Sequence, residues 1–176
     1  TEAAPELLKR IQAEKAKLIA EKKIKKEKVL PPITEDEIPF EIPNTWVWCR
    51  WGDTINLVSG RDLGSNEYSD TTLEYPYLTG ASQIENNKII LNRWTSTPKV
   101  ISQMNDLLLT CKGTVGKTII NHVGQIHIAR QIMALRVIDN LNVYFLKIFV
   151  DNHVEIFIQN SRSLIPGISR DDVLPV

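Results

Sequence analysis

The chain has only two cysteines, eight glycines and three histidines among its 176 residues. Cys49 and Cys111 stand alone, without CxxC spacing, so they read as two reduced, partly buried thiols rather than a disulfide. His122, His127 and His153 have no metal-ligand spacing. No apolar run approaches the ~18–20 residues that a membrane span needs. A hydrophobic signal region is missing at the start, so secretion is not expected and the cytoplasm is. Ser59 and Ser82 lack the GxSxG setting of a nucleophile elbow. The acids are scattered without a convincing acid–base pair, and no methyl-donor signature occurs. These absences point away from an enzyme and toward a binding module with no cofactor and no metal.

What the chain does have is unevenly distributed. Residues 1–28 hold nine Lys or Arg against five acids, with no glycine and no aromatic residue. Residues 29–176 hold twelve bases against sixteen acids, and every glycine, aromatic residue, cysteine and histidine. The zero net charge is therefore the sum of a basic arm and an acidic body. Pro5 suits a first helical turn and Glu6 suits its positive end. Leu7, Leu8, Ile11, Leu18 and Ile19 recur at helical steps, so residues 5–27 are expected to form a helix of about 34 Å. Its stripe is too narrow for a core helix and calls for a partner helix in an antiparallel coiled pair. Pro31 and Pro32 are expected to stop it. The chain divides into a helical interaction segment over 1–30, a Pro-rich linker over 31–45 and a compact domain over 46–176.

Within that domain, Trp46 to Trp51 alternate in strand fashion, and Thr54 to Val58 form a second short element. Residues 60–75 are polar and turn-rich, which predicts a long loop. Pro76 to Leu78, Lys88 to Leu91, Asp106 to Thr110 and Met133 to Val137 read as strands, with Asn86-Asn87 as a turn. Thr118 to Ile120 and Gln125 to Ile128 are expected to form a hairpin around residues 121–124. Residues 142–158 carry apolar side chains at helical steps and predict one helix, broken near Asp151-Asn152. The fold class is α+β: short strands, long loops and late helices, preceded by the long N-terminal helix.

Lys112-Gly113-Thr114-Val115-Gly116-Lys117-Thr118 is a near miss of a phosphate-binding loop. The pattern GxxxxGK[ST] puts a glycine where Cys111 stands, and a helix should follow where a strand is expected. A Gly-rich turn between strands is the simpler reading; Lys112 and Lys117 could there meet nucleic-acid phosphates. Base readout needs Arg or Lys for guanine edges and Asn or Gln for adenine edges. The loops supply Arg61, Asn66, Gln83, Asn87, Lys88, Arg93, Lys99, Lys112, Lys117, Arg130, Gln131 and Arg162 as the set of candidate DNA contacts.

Ile38-Pro39-Phe40-Glu41-Ile42-Pro43-Asn44-Thr45-Trp46-Val47-Trp48, followed by Gly52-Asp53, resembles the entry into a target recognition domain of type I restriction-modification specificity subunits. Gly60, Tyr77-Leu78, Asn105 to Thr110, Gly113 to Lys117, Ala129-Arg130-Gln131 and Ile165 to Ser169 follow in the same order. Residues 6–15 resemble the helical spacer that flanks such domains. Arg130-Gln131 stands where the family often has Asn-Gln. The resemblance implies a non-enzymatic reader of double-stranded DNA that handles one half of a split target. It implies adenine methyltransferase (modification) subunits and a restriction subunit as partners. With one recognition domain and one helix, the chain resembles a fragment or a half-subunit that self-associates through its N-terminal helix. Two other readings stand beside it. One is the specificity portion of a single-chain restriction or methylation enzyme; the other is a protein-interaction adaptor that binds no DNA.

Overall fold

A computed structural model describes residues 2–139, 141–160 and 167–176. The first helix, α1 (Ala4–Ala20), packs on the domain that follows it. Pro5 occupies its first turn and Glu6 meets its positive end, as the sequence predicts. It ends at Ala20, well before the prolines, giving a rod of about 25 Å rather than 34 Å. Lys22 adopts a left-handed φ of 57°, and the amides of Lys22 and Lys23 donate to Ile19 O and Leu18 O. This closure is a Schellman-like stop made with lysine instead of glycine. Continuing the helix would stack Lys22 under Lys25 and Lys26, a like-charge run that helices disfavour. The chain instead doubles back, which lets Leu30 reach the main core. The chain's own domain takes up only part of the apolar stripe. Ile11 is 1% exposed against the chain's own domain, while Leu7, Leu8, Leu18 and Ile19 stay half-buried.

Residues 46–50 form no strand, contrary to their alternation. Their backbone is directed elsewhere by Arg50, whose buried guanidinium donates to Pro31 O, Pro32 O, Pro175 O and both oxygens of Glu37. The amides of Trp51 and Gly52 then bond Val176 O and Leu174 O. A short helix, α2 (Trp51–Thr54), follows.

Ten strands come next: β1 (Ile55–Ser59), β2 (Tyr75–Leu78), β3 (Ile84–Glu85), β4 (Lys88–Ile89), β5 (Trp94–Thr95), β6 (Ile101–Ser102), β7 (Leu107–Thr110), β8 (Thr118–Ile120), β9 (Ile126–Ile128) and β10 (Ile132–Val137). The helices α3 (Val143–Asn160) and α4 (Arg170–Val173) complete the described elements. One antiparallel sheet has the order β1-β10-β7-β8; a second has β5-β2-β9-β6, with β2 and β9 parallel. Successive residues of β7 point to opposite faces. Leu107 and Leu109 enter the core shared with α3 and α4, while Leu108 enters the core between the sheets. Both faces are covered, which is why the run Leu107-Leu108-Leu109 is apolar without alternation.

The expected hairpin of Thr118–Ile120 with Gln125–Ile128 does not form. β8 pairs with β7, whereas β9 pairs with β2 and β6. The buried Asn121 amide redirects the chain between the sheets. Its Nδ2 donates to Ser102 Oγ, Gln103 O and Gly124 O, and its Oδ1 accepts from Val123 N. Helix α3 runs unbroken through Asp151-Asn152, since Asp151 bonds Lys147 one turn back and Asn152 donates to Ile148 O.

Candidate nucleic-acid interface

The candidate site is built where the two sheets meet. Residues 59–62 run against residues 128–132, with Gly60 N donating to Ile132 O and Arg61 N to Ile128 O. At Gly60 a side chain has no room, because a Cβ there would lie 2.0 Å from Ala129 O. From this crossing the predicted loop runs over residues 60–74. An aromatic stack pins it. The Arg93 guanidinium lies 5.2 Å from the Tyr68 ring centre, Tyr68 lies 5.5 Å from Tyr77, and Tyr77 lies 4.8 Å from His127. His127 is fully buried, and that burial holds its imidazole below the ordinary pKa of 6.5. Leu63 N donates to Tyr77 Oη, and Thr95 Oγ1 donates to Glu67 O.

Loop acids face three of the candidate cations. Asp62 pairs with Arg130 at 2.9 Å, Glu67 with Lys99 at 2.6 Å and Asp70 with Arg93 at 3.8 Å. The Lys99 ammonium, then the Gly64 amide, hold the Glu67 carboxyl below its ordinary value. Arg61 and Lys88 make no ion pair among the described residues, and Asn66 is exposed on the same loop as Arg61. Asn87 and Lys88 project from the β3–β4 hairpin, whose turn is closed by Asn86 and Asn87 at φ 48° and 59°.

The remaining candidates are placed differently. Gln83 is 3% exposed, so it is a correction to the sequence reading: its amide knots Thr79, Tyr77, Ile90 and Asn92 together and faces no solvent. Lys117 donates to Ala81 O and Ile84 O and buttresses the hairpin from below. The amides of Gly116 and Lys117 donate to Thr110, and β8 follows at once, so residues 112–117 form a strand–turn–strand with no phosphate cradle. Lys112 is exposed in that turn, its backbone bridged to Gly167. Gln131 is half-buried with Oε1 unpartnered. Arg162 lies outside the described residues, as does the Ile165-Pro166 step. The structure thus gathers Arg61, Asn66, Arg93, Lys99 and Arg130 around one loop. Sequence reasoning passed over the acids Asp62, Glu67 and Asp70 and the stacking Tyr68. The density of acids in one polar loop was the available signal.

No family model matches the chain. Among curated proteins, it is 50% identical over 72 residues to the specificity subunit of the type I restriction enzyme EcoAI of Escherichia coli. It is 57% identical over 60 residues to that of EcoEI, also of Escherichia coli. The stretches cover 41% and 34% of this chain, but only 12% and 10% of the relatives' length. A solved HsdS subunit from Thermoanaerobacter tengcongensis superposes with a TM-score of 0.68 at 21% identity, over 98% of this chain and 39% of that one. The fold is that of a type I specificity subunit.

A chain from a study of complex assembly in the type I R-M system superposes over 98% of this chain and 41% of that one, at TM-score 0.71 and 20% identity. The S subunit from M. genitalium is more distant, at TM-score 0.55 and 14% identity. The mixed α+β architecture therefore agrees with the fold comparisons over 98% of the chain, and the family resemblance agrees with the identities over 72 and 60 residues.

Proposed function

We propose that this chain is a DNA-reading module that selects one half of a split target for a type I restriction-modification complex. The observation that carries the reading is the agreement of two independent likenesses: close identity to specificity subunits over part of the sequence, and their fold over 98% of the chain. In this reading Arg61, Arg93 and Arg130, with Asn66, approach base edges in the major groove, and Lys99 and Lys88 approach phosphates. The loop acids keep those cations apart and oriented until the duplex replaces them. The chain makes and breaks no bonds itself. Adenine methyltransferase subunits and a restriction subunit supply the chemistry, in the cytoplasm. The half-buried stripe of α1 offers Leu7, Leu8, Leu18 and Ile19 to a partner helix or to a second copy.

The test is duplex binding by the complex assembled with its methyltransferase subunits, measured across salt. A reader of this kind shows log affinity falling linearly with log salt, with a slope of about one unit per phosphate contact. Arg61→Ala and Arg93→Ala each relax sequence choice. Unchanged specificity in both variants refutes the loop assignment, and an assembly that binds no duplex at any salt favours the adaptor instead.

A further inference from the structure

We propose that Asp62 is a positioning residue for Arg130, and that Arg130 reads a guanine edge rather than a phosphate. The proposal rests on the DNA-reading function above and names one contact within it.

The argument starts from the backbone. Residues 129–131 connect β9 of one sheet to β10 of the other, so Arg130 sits on a link that both sheets hold. Ala129 N donates to Leu78 O, Ile132 N to Ala129 O, and Cys111 N to Gln131 O. The crossing strand is equally fixed, because Gly60 touches the backbone of Ala129 and leaves no slack for a side chain. Asp62 thus meets Arg130 from a rigid frame. Its Oδ1 accepts the Arg130 backbone amide at 3.1 Å, and its Oδ2 pairs with Arg130 Nε at 2.9 Å. One carboxylate holds both ends of the same residue.

The pair is open to water: the side chains are 66% and 41% exposed for Arg130 and Asp62. An exposed ion pair does little for stability. Its consequence is geometric. A guanidinium held at Nε has lost much of its rotamer freedom, while its Nη1 and Nη2 edge has no partner among the described residues. Two parallel N–H donors on a fixed plane match the O6 and N7 acceptors of guanine. A phosphate makes no such demand, since a mobile cation serves it as well. The other cations of the cluster are less suited. The Arg93 guanidinium is taken up over the Tyr68 ring, and Lys99 offers a point charge already paired with Glu67.

The experiment is selection from a randomised duplex pool by the assembled complex, followed by sequencing. Wild type enriches a motif that contains a guanine with roughly tenfold or greater preference. Arg130→Ala brings that one position near unity and leaves the other positions and the salt slope unchanged. Arg130→Lys does not restore it, because a single ammonium cannot bridge both acceptors. Asp62→Ala lowers the same position severalfold, and Asp62→Asn, which keeps the acceptor for the Arg130 amide, lowers it less. A wild-type motif that survives in both Arg130→Ala and Asp62→Ala overturns the proposal. So does a loss spread evenly over all positions with a shallower salt slope, the mark of a phosphate contact. If wild type enriches no motif at all, the DNA-reading function itself fails.

Discussion

Replacing Gln83 separates a reader of bases from a builder of the fold. Its side chain makes five hydrogen bonds. Oε1 accepts from Thr79 N at 2.6 Å and from Thr79 Oγ1 at 2.7 Å. Nε2 donates to Tyr77 O at 3.3 Å, Ile90 O at 3.2 Å and Asn92 Oδ1 at 2.7 Å. Each such bond contributes about 0.5–1.5 kcal/mol net. The Thr79 hydroxyl can turn elsewhere, and water can reach part of the vacated space, so the expected loss for Gln83→Ala is about 3 kcal/mol. For a chain of this size that lowers Tm by roughly 6–12 °C. Gln83→Glu sharpens the test. It keeps the shape and both bonds from Thr79, yet it turns an oxygen toward three acceptors, so it destabilises about as much as alanine. Thermal unfolding followed by circular dichroism reads both variants. A change below about 0.5 kcal/mol in either one, together with altered sequence choice, refutes the structural role and returns Gln83 to the base-reading set.

Other expectations follow from the same packing. Asp106→Ala removes a 1%-exposed carboxylate that holds Arg136 through two 2.8 Å bonds and also accepts from Gln103 N and Ser102 Oγ. Stranding that guanidinium costs about 3 kcal/mol, and urea unfolding of Asp106→Ala with and without Arg136→Met isolates the coupling. Gly60→Ala forces apart two backbones whose added Cβ would lie 2.0 Å from Ala129 O, so duplex selectivity falls even where the domain still folds. Arg50, then the Thr34 amide, lowers the Glu37 carboxyl from 4.5 to about 2. That depressed folded-state value stabilises the fold above pH 4.5, and the benefit fades as pH falls toward 2; Glu37→Gln flattens this acid limb in unfolding curves. His127 adds a second limb. Its folded-state pKa lies below 6.5, so the unfolded chain takes the proton more readily and stability declines as pH drops under that value, a trend absent from a folded His127→Gln.

Local chemistry made some of this legible in the sequence. β7 and β10 announce themselves as apolar runs, and Asn86-Asn87 tolerates the left-handed backbone that its hairpin requires. The glycine-rich turn at 113–117 was readable as strand–turn–strand, because the missing first glycine and the absent helix excluded a phosphate loop. Long-range contacts hid the rest. Nothing near Trp46 to Trp51 reveals that Arg50 will bind four distant carbonyl or carboxylate partners and suppress a strand. The pairing of β8 and β9 with different sheets depends on Asn121 meeting Ser102 and Gln103. Helix α1 stops where lysines crowd, a signal present in the sequence but outweighed there by the two prolines downstream. In the site, Arg130 was visible as a cation, whereas its partner Asp62 is 68 residues away and is brought beside it only by the crossing at Gly60.

The central claim is that the surface around residues 60–99 and 130 chooses one half of a DNA target. Mapping adenine methylation in cells that carry the assembled complex tests it most directly, once with this chain and once with residues 60–99 exchanged for the matching segment of another specificity subunit. One half of the methylated sequence should change and the other half should persist. An identical methylated sequence in both cells contradicts the account.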